Sequence, residues 1–168
     1  AKGILVKGGG HAMAAGVTIE RSKLGALEAD LKTTLTASTG LARAQASLDI
    51  DGALTPATVG DDLVDLIERA GPYGQGSPQP RFVFPAHRVR FAKVMGEAHV
   101  RCTLEAGDAR RIDAIAFRSV GQPIGDLLLG ASGMPIHVAG TLRRETWGGR
   151  VRIELMVDDV ADPRQQGR

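Results

Sequence analysis

The chain has 168 residues, 43% hydrophobic and 24% charged, with a formal net charge of +2, the balance of one sizeable or two small globular domains rather than a disordered or fibrous chain. No apolar run approaches the length of a membrane span, and the single cysteine, Cys102, excludes an internal disulfide; no Cys/His spacing fits zinc, so a cytoplasmic protein without a membrane partner is expected. Residues 1–80 carry seven Lys/Arg against nine Asp/Glu and residues 81–168 fourteen against ten, a basic second half that suits nucleic acid and equally a solvated surface.

Ile4, Leu5 and Val6 read as a short strand that needs sheet partners, and the chain opens on Ala1, so a fragment of a larger protein is expected. Gly8 to Gly16, GGGHAMAAG, has too little side-chain volume to be a core segment. Three bare glycines allow backbone N–H groups to converge on an anion, with His11 next to them. Ala12 to Ala15 are helix formers that Gly16 is placed to stop, so a short helix with its N-terminus at the glycine turn is expected, a geometry that favours phosphate. The same spacing fits a tight turn beside a closely packed helix. The stretch lacks the Lys-Ser/Thr ending of GxxxxGK[ST] and the spacing of GxGxxG.

Val17 to Ile19 reads as a strand. Leu24, Leu27, Leu31 and Leu35 then form one helical stripe that fades in the Thr/Ser-rich run before Gly40. Ser47 to Asp51 alternates as a short strand. A second helix, capped by Thr58 and stopped by Gly71-Pro72, presents Val59, Leu63, Leu66, Ile67 and Ala70 inward and Asp61, Asp62, Asp65 and Glu68 outward as a solvated acidic face. Gly71 to Phe82, GPYGQGSPQPRF, is a shaped connector. From Phe82 the period becomes two, predicting five strands with Phe91 and Phe117 inward. Gly121 to Gly133 interrupts them as a short helix or closing loop, and Gly148-Gly149 turns a last hairpin. Three strands, an interruption and two strands is the order of an OB barrel, with an SH3-like barrel or open sandwich also compatible. Cys102 is expected as a small core hydrophobe. His87 and His137 are expected as ordinary surface or core-edge residues.

Basic residues alternate with the apolar set: Arg88, Arg90 and Lys93; His99 and Arg101; Arg143 and Arg144; Arg150 and Arg152. Together with Arg81 and Trp147 they are the candidate groove for a single strand, gripped mainly through its backbone. Solubilising arginines on a barrel exterior would produce the same pattern.

GGGHAMAAG resembles the glycine-histidine motif of the DHHA1 domain that accompanies DHH phosphoesterases. GPYGQGSPQPRF resembles the PFGxGNPxPxF element of the RecJ family of single-stranded-DNA exonucleases, with Tyr73 for Phe and Ser77 for Asn. The likeness continues through HRVRFAKVMGEAHVRCTLEAGDARRIDAIAF and WGGRVRIELMVDDV, covering Ile4 to about Val160. Before that tryptophan the family's usual Asn is missing; Glu145-Thr146 stand there.

This resemblance implies an α+β chain: the end of a DHHA1 domain (1–45), an OB barrel with a leading strand and helix (46–162) and a tail (163–168). It implies that Gly8, Gly9, Gly10 and His11 hold a substrate phosphate and that the barrel binds single-stranded DNA. It also implies that hydrolysis belongs to two Mn²⁺ or Mg²⁺ ions in a preceding DHH domain, with no catalytic or metal-ligating residue and no activity in this fragment. A monomer serving DNA repair and recombination, with a single-strand-binding protein as a further partner, completes the expectation. A DHH phosphodiesterase for short oligonucleotides or cyclic dinucleotides, and a non-catalytic OB scaffold, are the alternatives.

Overall fold

A computed structural model describes residues 3–11, 14–44, 47–147 and 150–165, in two compact units that divide between Leu48 and Asp49. In the first unit, β1 (Leu5–His11) and β2 (Ala14–Ile19) form an antiparallel hairpin with Gly8 opposite Val17, Gly9 opposite Gly16, Gly10 opposite Ala15 and His11 opposite Ala14. The expected helix over 12–15 is therefore corrected: Ala14 and Ala15 are strand, and Ala12 and Met13 lie outside the described residues. A four-residue helix gains too few hydrogen bonds to offset nucleation, whereas a ladder pairs backbone groups at once. Gly10 is required by proximity, because a Cβ there would press into the backbone of Ala14 and Ala15.

A 3₁₀ turn (Arg21–Lys23) leads into α1 (Leu24–Ala44). The helix runs through the Thr-rich stretch expected to end it. Thr33 and Thr36 donate their hydroxyls to the carbonyls of Ala29 and Lys32, at 2.9 and 2.5 Å, so these side chains bond within the helix instead of competing with it. Of the leucine stripe only Leu27 is buried; Leu24, Leu31 and Leu35 are exposed.

The second unit is built on a closed barrel. The strands are β3 (Gly52–Ala53), β4 (Arg81–Met95), β5 (His99–Glu105), β6 (Arg111–Ala116), β7 (Pro135–Trp147) and β8 (Arg150–Ala161). The leading strand is thus two residues at 52–53 rather than 47–51. Sheet order is β3-β4-β5-β6-β8-β7, and β4 also pairs with β7, so five strands close with one parallel seam, β6 to β8. This is the expected α+β chain with a five-stranded OB-type barrel.

Phe84, Val89, Val100, Cys102, Leu104, Ile136, Val138, Leu142 and Leu155 fill the interior. Between β6 and β7, α3 (Pro123–Gly130) inserts Leu128 into that core, and α2 (Asp61–Ala70) adds Ile67 from outside the strands. Val64 and Ile67 are the buried side chains of α2, while Leu66 points to solvent, against expectation. Thr58 does not cap α2. It closes a capping box with Thr55 around a 3₁₀ turn (Pro56–Thr58), and Gly60 is the residue before the helix.

The Gly71–Phe82 connector is tied down by Tyr73, whose hydroxyl donates to the Ile67 carbonyl at 2.5 Å, and by Gln79, whose amide donates to the Leu142 carbonyl at 2.8 Å. Cys102 is core, as expected, and burial pushes its thiol up to about 12. No helix among the described residues is long and apolar enough to cross a membrane.

Candidate nucleic-acid interface

Cross-strand partners share a face of a sheet. Along β4, Arg88 faces Glu105 and Val89 faces Leu104, but the next pair is Phe91 with Thr103: Arg90 is the extra residue of a β-bulge. A bulge shifts the alternation by one, so Phe91, Lys93 and Met95 point out of the barrel although simple period-two counting sends Phe91 inward. Phe91 is 54% exposed, with the Lys93 ammonium 5.9 Å from its ring centre. Phe117, just past the end of β6, is 52% exposed because its neighbours Ile112, Ala114 and Ala116 take the inward positions. His99 meets the Phe117 ring edge-on at 4.9 Å, and its Nδ1 accepts the Arg118 N–H at 2.9 Å, fixing the ring and leaving its proton on Nε2.

The face continues across β5, β6 and β8 through the pairs Lys93–Arg101, Thr103–Asp113, Asp113–Glu154 and Arg143–Glu154. Arg101 bridges two carboxylates, Asp113 at 3.4 Å and Glu154 at 2.9 Å. Burial raises the Glu154 carboxyl above its usual value, Asp113 and Glu145 add to the rise, and Arg101 opposes it. A cleft of about 500 Å³ opens here, lined by Arg101, Asp113, Phe117, Glu145, Arg152 and Glu154 among others. Arg152 is exposed on the same face and makes no ion pair with the described residues. Two open aromatic rings, Lys93, Arg152 and a cleft thus share one barrel face.

A family model described as the RecJ OB domain matches residues 50–159. The chain belongs to the RecJ OB domain family. It is 33% identical to the single-stranded-DNA-specific exonuclease RecJ of Escherichia coli K12 and 28% identical to that of Salmonella typhimurium LT2, in each case over 94% of this chain. It spans about a quarter of the length of these curated relatives, 27% and 26%. The structure of Thermus thermophilus RecJ in complex with Mn²⁺ matches 96% of this chain, and 22% of that one, with a TM-score of 0.53 at 23% identity, a likeness of fold. The Mg²⁺ complex of the same protein matches with the same TM-score and covers 24% of that chain.

The RecJ OB domain of this chain brings Lys93, His99, Arg101, Arg143 and Arg152 to one face, with Arg143 holding Glu145 at 2.9 Å. Arg88, on the same side of β4, is exposed and Arg90, at the bulge, pairs with Glu105 at 3.4 Å. Two other candidates are taken up by the fold. Arg81 is clamped by Asp158 at 2.7 Å and by the Asp49 carbonyl at 3.3 Å. Arg144, of opposite parity to Arg143, reaches α2, where Asp65 (2.6 Å), Glu68 (3.2 Å) and Asp61 (3.6 Å) surround it and raise its pKa, the Asp65 hydrogen bond contributing most. The acidic face of α2 is solvent-exposed, as expected, and in addition docks this guanidinium.

Trp147 and Arg150 pair in the β7–β8 ladder; their side chains, and Gly148 and Gly149, lie outside the described residues. His137 accepts the Ala86 N–H on Nδ1 at 3.1 Å, and His87 is buried against Phe84 with Nδ1 2.9 Å from the Pro85 carbonyl. Gly8 to His11 are exposed, but they lie in an extended ladder, where successive N–H groups alternate in direction instead of converging. Among the described residues no three His, Cys, Asp or Glu side chains are grouped to hold a metal ion. Phe91 and Phe117 are the residues that sequence alternation missed; the only cue was the basic run Arg88-Val89-Arg90 ahead of Phe91, one residue out of step with Lys93.

Proposed function

We propose that this chain is the single-strand-gripping part of a RecJ-type 5′→3′ exonuclease of DNA repair and recombination. The observation that carries the reading is the exposed face where Phe91, Lys93, His99, Phe117 and Arg152, which has no ion pair among the described residues, stand together on a RecJ OB domain. Bases stack on the two rings while the cations follow the phosphates, a combination that binds without strong dependence on sequence. Gly8, Gly9, Gly10 and His11 hold a substrate phosphate at the exposed edge of the β1–β2 hairpin. A strand at the edge of a two-stranded sheet turns alternate N–H groups outward, and a bare glycine such as Gly9, with open space where a Cβ would stand, lets a phosphate oxygen approach them.

Phosphodiester hydrolysis belongs to a divalent-metal domain of the parent enzyme; Mn²⁺ or Mg²⁺ supplies a metal-activated water there. This chain's residues bind and orient the strand. The test is fluorescence anisotropy of a labelled oligothymidylate with the 168-residue chain at rising salt, beside a nuclease assay with Mn²⁺. Weak, salt-sensitive binding without degradation is expected. Degradation by the chain alone overturns the division of labour, and absence of binding at low salt overturns the grip.

A further inference from the structure

We infer that the cleft on the barrel face is a pocket for one unstacked nucleobase and favours guanine, with Glu154 accepting from the base edge, Arg101 donating to it and Phe117 beside the ring. The inference rests on the proposed single-strand binding and adds a preference that the backbone grip lacks. At about 500 Å³ the cleft is within the range of small-ligand sites, roughly 300–1,000 Å³. Met95, Ile115 and Phe117 give it apolar walls.

Its polar groups are unequally satisfied. Asp113 accepts from the Thr103 hydroxyl at 2.9 Å and from Arg101, and Glu145 is held by Arg143 at 2.9 Å. Glu154 Oε1 is buried, and the one cation that ion-pairs with it among the described residues is Arg101, at 2.9 Å. Burial and the neighbouring Asp113 and Glu145 raise the Glu154 pKa, against the opposing pull of Arg101. A phosphate is the poorer occupant, because three carboxylates, Asp113, Glu145 and Glu154, line the cleft against two guanidinium groups, Arg101 and Arg152.

What enters must bring N–H donors to Glu154 and an acceptor to Arg101. The guanine edge presents O6, N1–H and N2–H₂ in a row, so a carboxylate takes two parallel bonds from N1 and N2 while the adjacent guanidinium reaches O6. Adenine and cytosine offer one amino group each. Thymine sets a single N–H between two carbonyls and is the worst match. The strand's phosphates remain outside, near Lys93, with Arg152 at the cleft wall.

The experiment measures anisotropy of the 168-residue chain on a labelled thymidine oligomer and on the same oligomer with one central dG, deoxyinosine, dA or dC. A good bidentate base contact contributes about 1–3 kcal/mol, so the dG oligomer is expected to bind about tenfold tighter than all-thymine. Deoxyinosine, which lacks the N2 amine, loses most of that gain. In Glu154→Gln, whose amide nitrogen meets the base donors, the dG-to-dT ratio falls toward one. The wild-type comparison needs no variant, so a folding defect in Glu154→Gln cannot mask the result. Affinities within twofold for all bases, or a preference for dA or dC over dG, overturn the guanine pocket while the proposed grip stands. Failure to bind any of the oligomers removes the grip and the pocket together.

Discussion

Phe91→Ala isolates the consequence of the bulge at Arg90. Phe91 is 54% exposed, so less than half of the roughly 150–250 Å² that a phenylalanine can bury is removed from water. At about 25 cal/mol per Å² this bounds the cost to stability at about 2–3 kcal/mol, and the true figure is smaller because alanine keeps part of the contact. Were Phe91 a core residue, truncation would cost about 3–5 kcal/mol.

On the binding side, loss of one base–aromatic stack is about 1–3 kcal/mol, a weakening of roughly five- to 150-fold. Stacking is not ionic, so the slope of log affinity against log salt stays as in the wild type. The assay is a salt titration of oligothymidylate anisotropy together with a thermal melt. Affinity within twofold of wild type in a folded variant refutes the stacking role. A melting temperature that collapses as for a core truncation refutes the outward placement.

Arg152→Gln removes a cation with no partner among the described residues and is expected to lower the salt slope by about 0.7, the value for one phosphate on a single strand; an unchanged slope refutes the contact. Arg144→Gln does the reverse: it breaks the link from β7 to Asp61, Asp65 and Glu68, lowering the melting temperature while leaving the slope of oligonucleotide binding as it was. Gly140→Ala forces a methyl against the Met156 backbone, with Leu155 Cδ1 only 3.1 Å from the new carbon. It is expected to destabilise by about 1–3 kcal/mol, read as a lower urea midpoint.

For pH, burial and the neighbouring carboxylates make the Glu154 carboxyl take up its proton at a higher pH than an ordinary glutamate. In the folded state its ionised form carries a cost, relieved as pH falls through that raised value. Protonation leaves Arg101 facing Asp113, with Glu145 and Arg152 also lining the cleft. Overall single-strand affinity should therefore rise as the pH falls through that raised value while the guanine preference shrinks, and Glu154→Gln should flatten both trends.

The sequence by itself determined the elements whose signal is local. The period-two runs from Phe82 onward, the Gly/Pro connector and the interruption at 121–133 predict five strands broken by a short helix or loop, an order compatible with an OB barrel, because alternation and chain punctuation are properties of neighbouring residues. The end of β2 was legible for the same reason. Tertiary structure decided which side chains meet. A single extra residue at Arg90 reverses every later side chain on β4 and turns Phe91 from core to surface, a shift that alternation cannot register because both faces of the strand remain plausible until β5 pairs with it.

Arg144 and Arg143 are adjacent in sequence and alike in charge, yet one is bound to carboxylates 76 to 83 residues away and the other lies on the open face. The glycine stretch reads as a turn from its conformational freedom alone; what makes it a strand is β2 lying opposite it, close enough at Gly10 that no side chain would fit. Local pattern sets the strands, and long-range pairing sets which residues are free to touch a ligand.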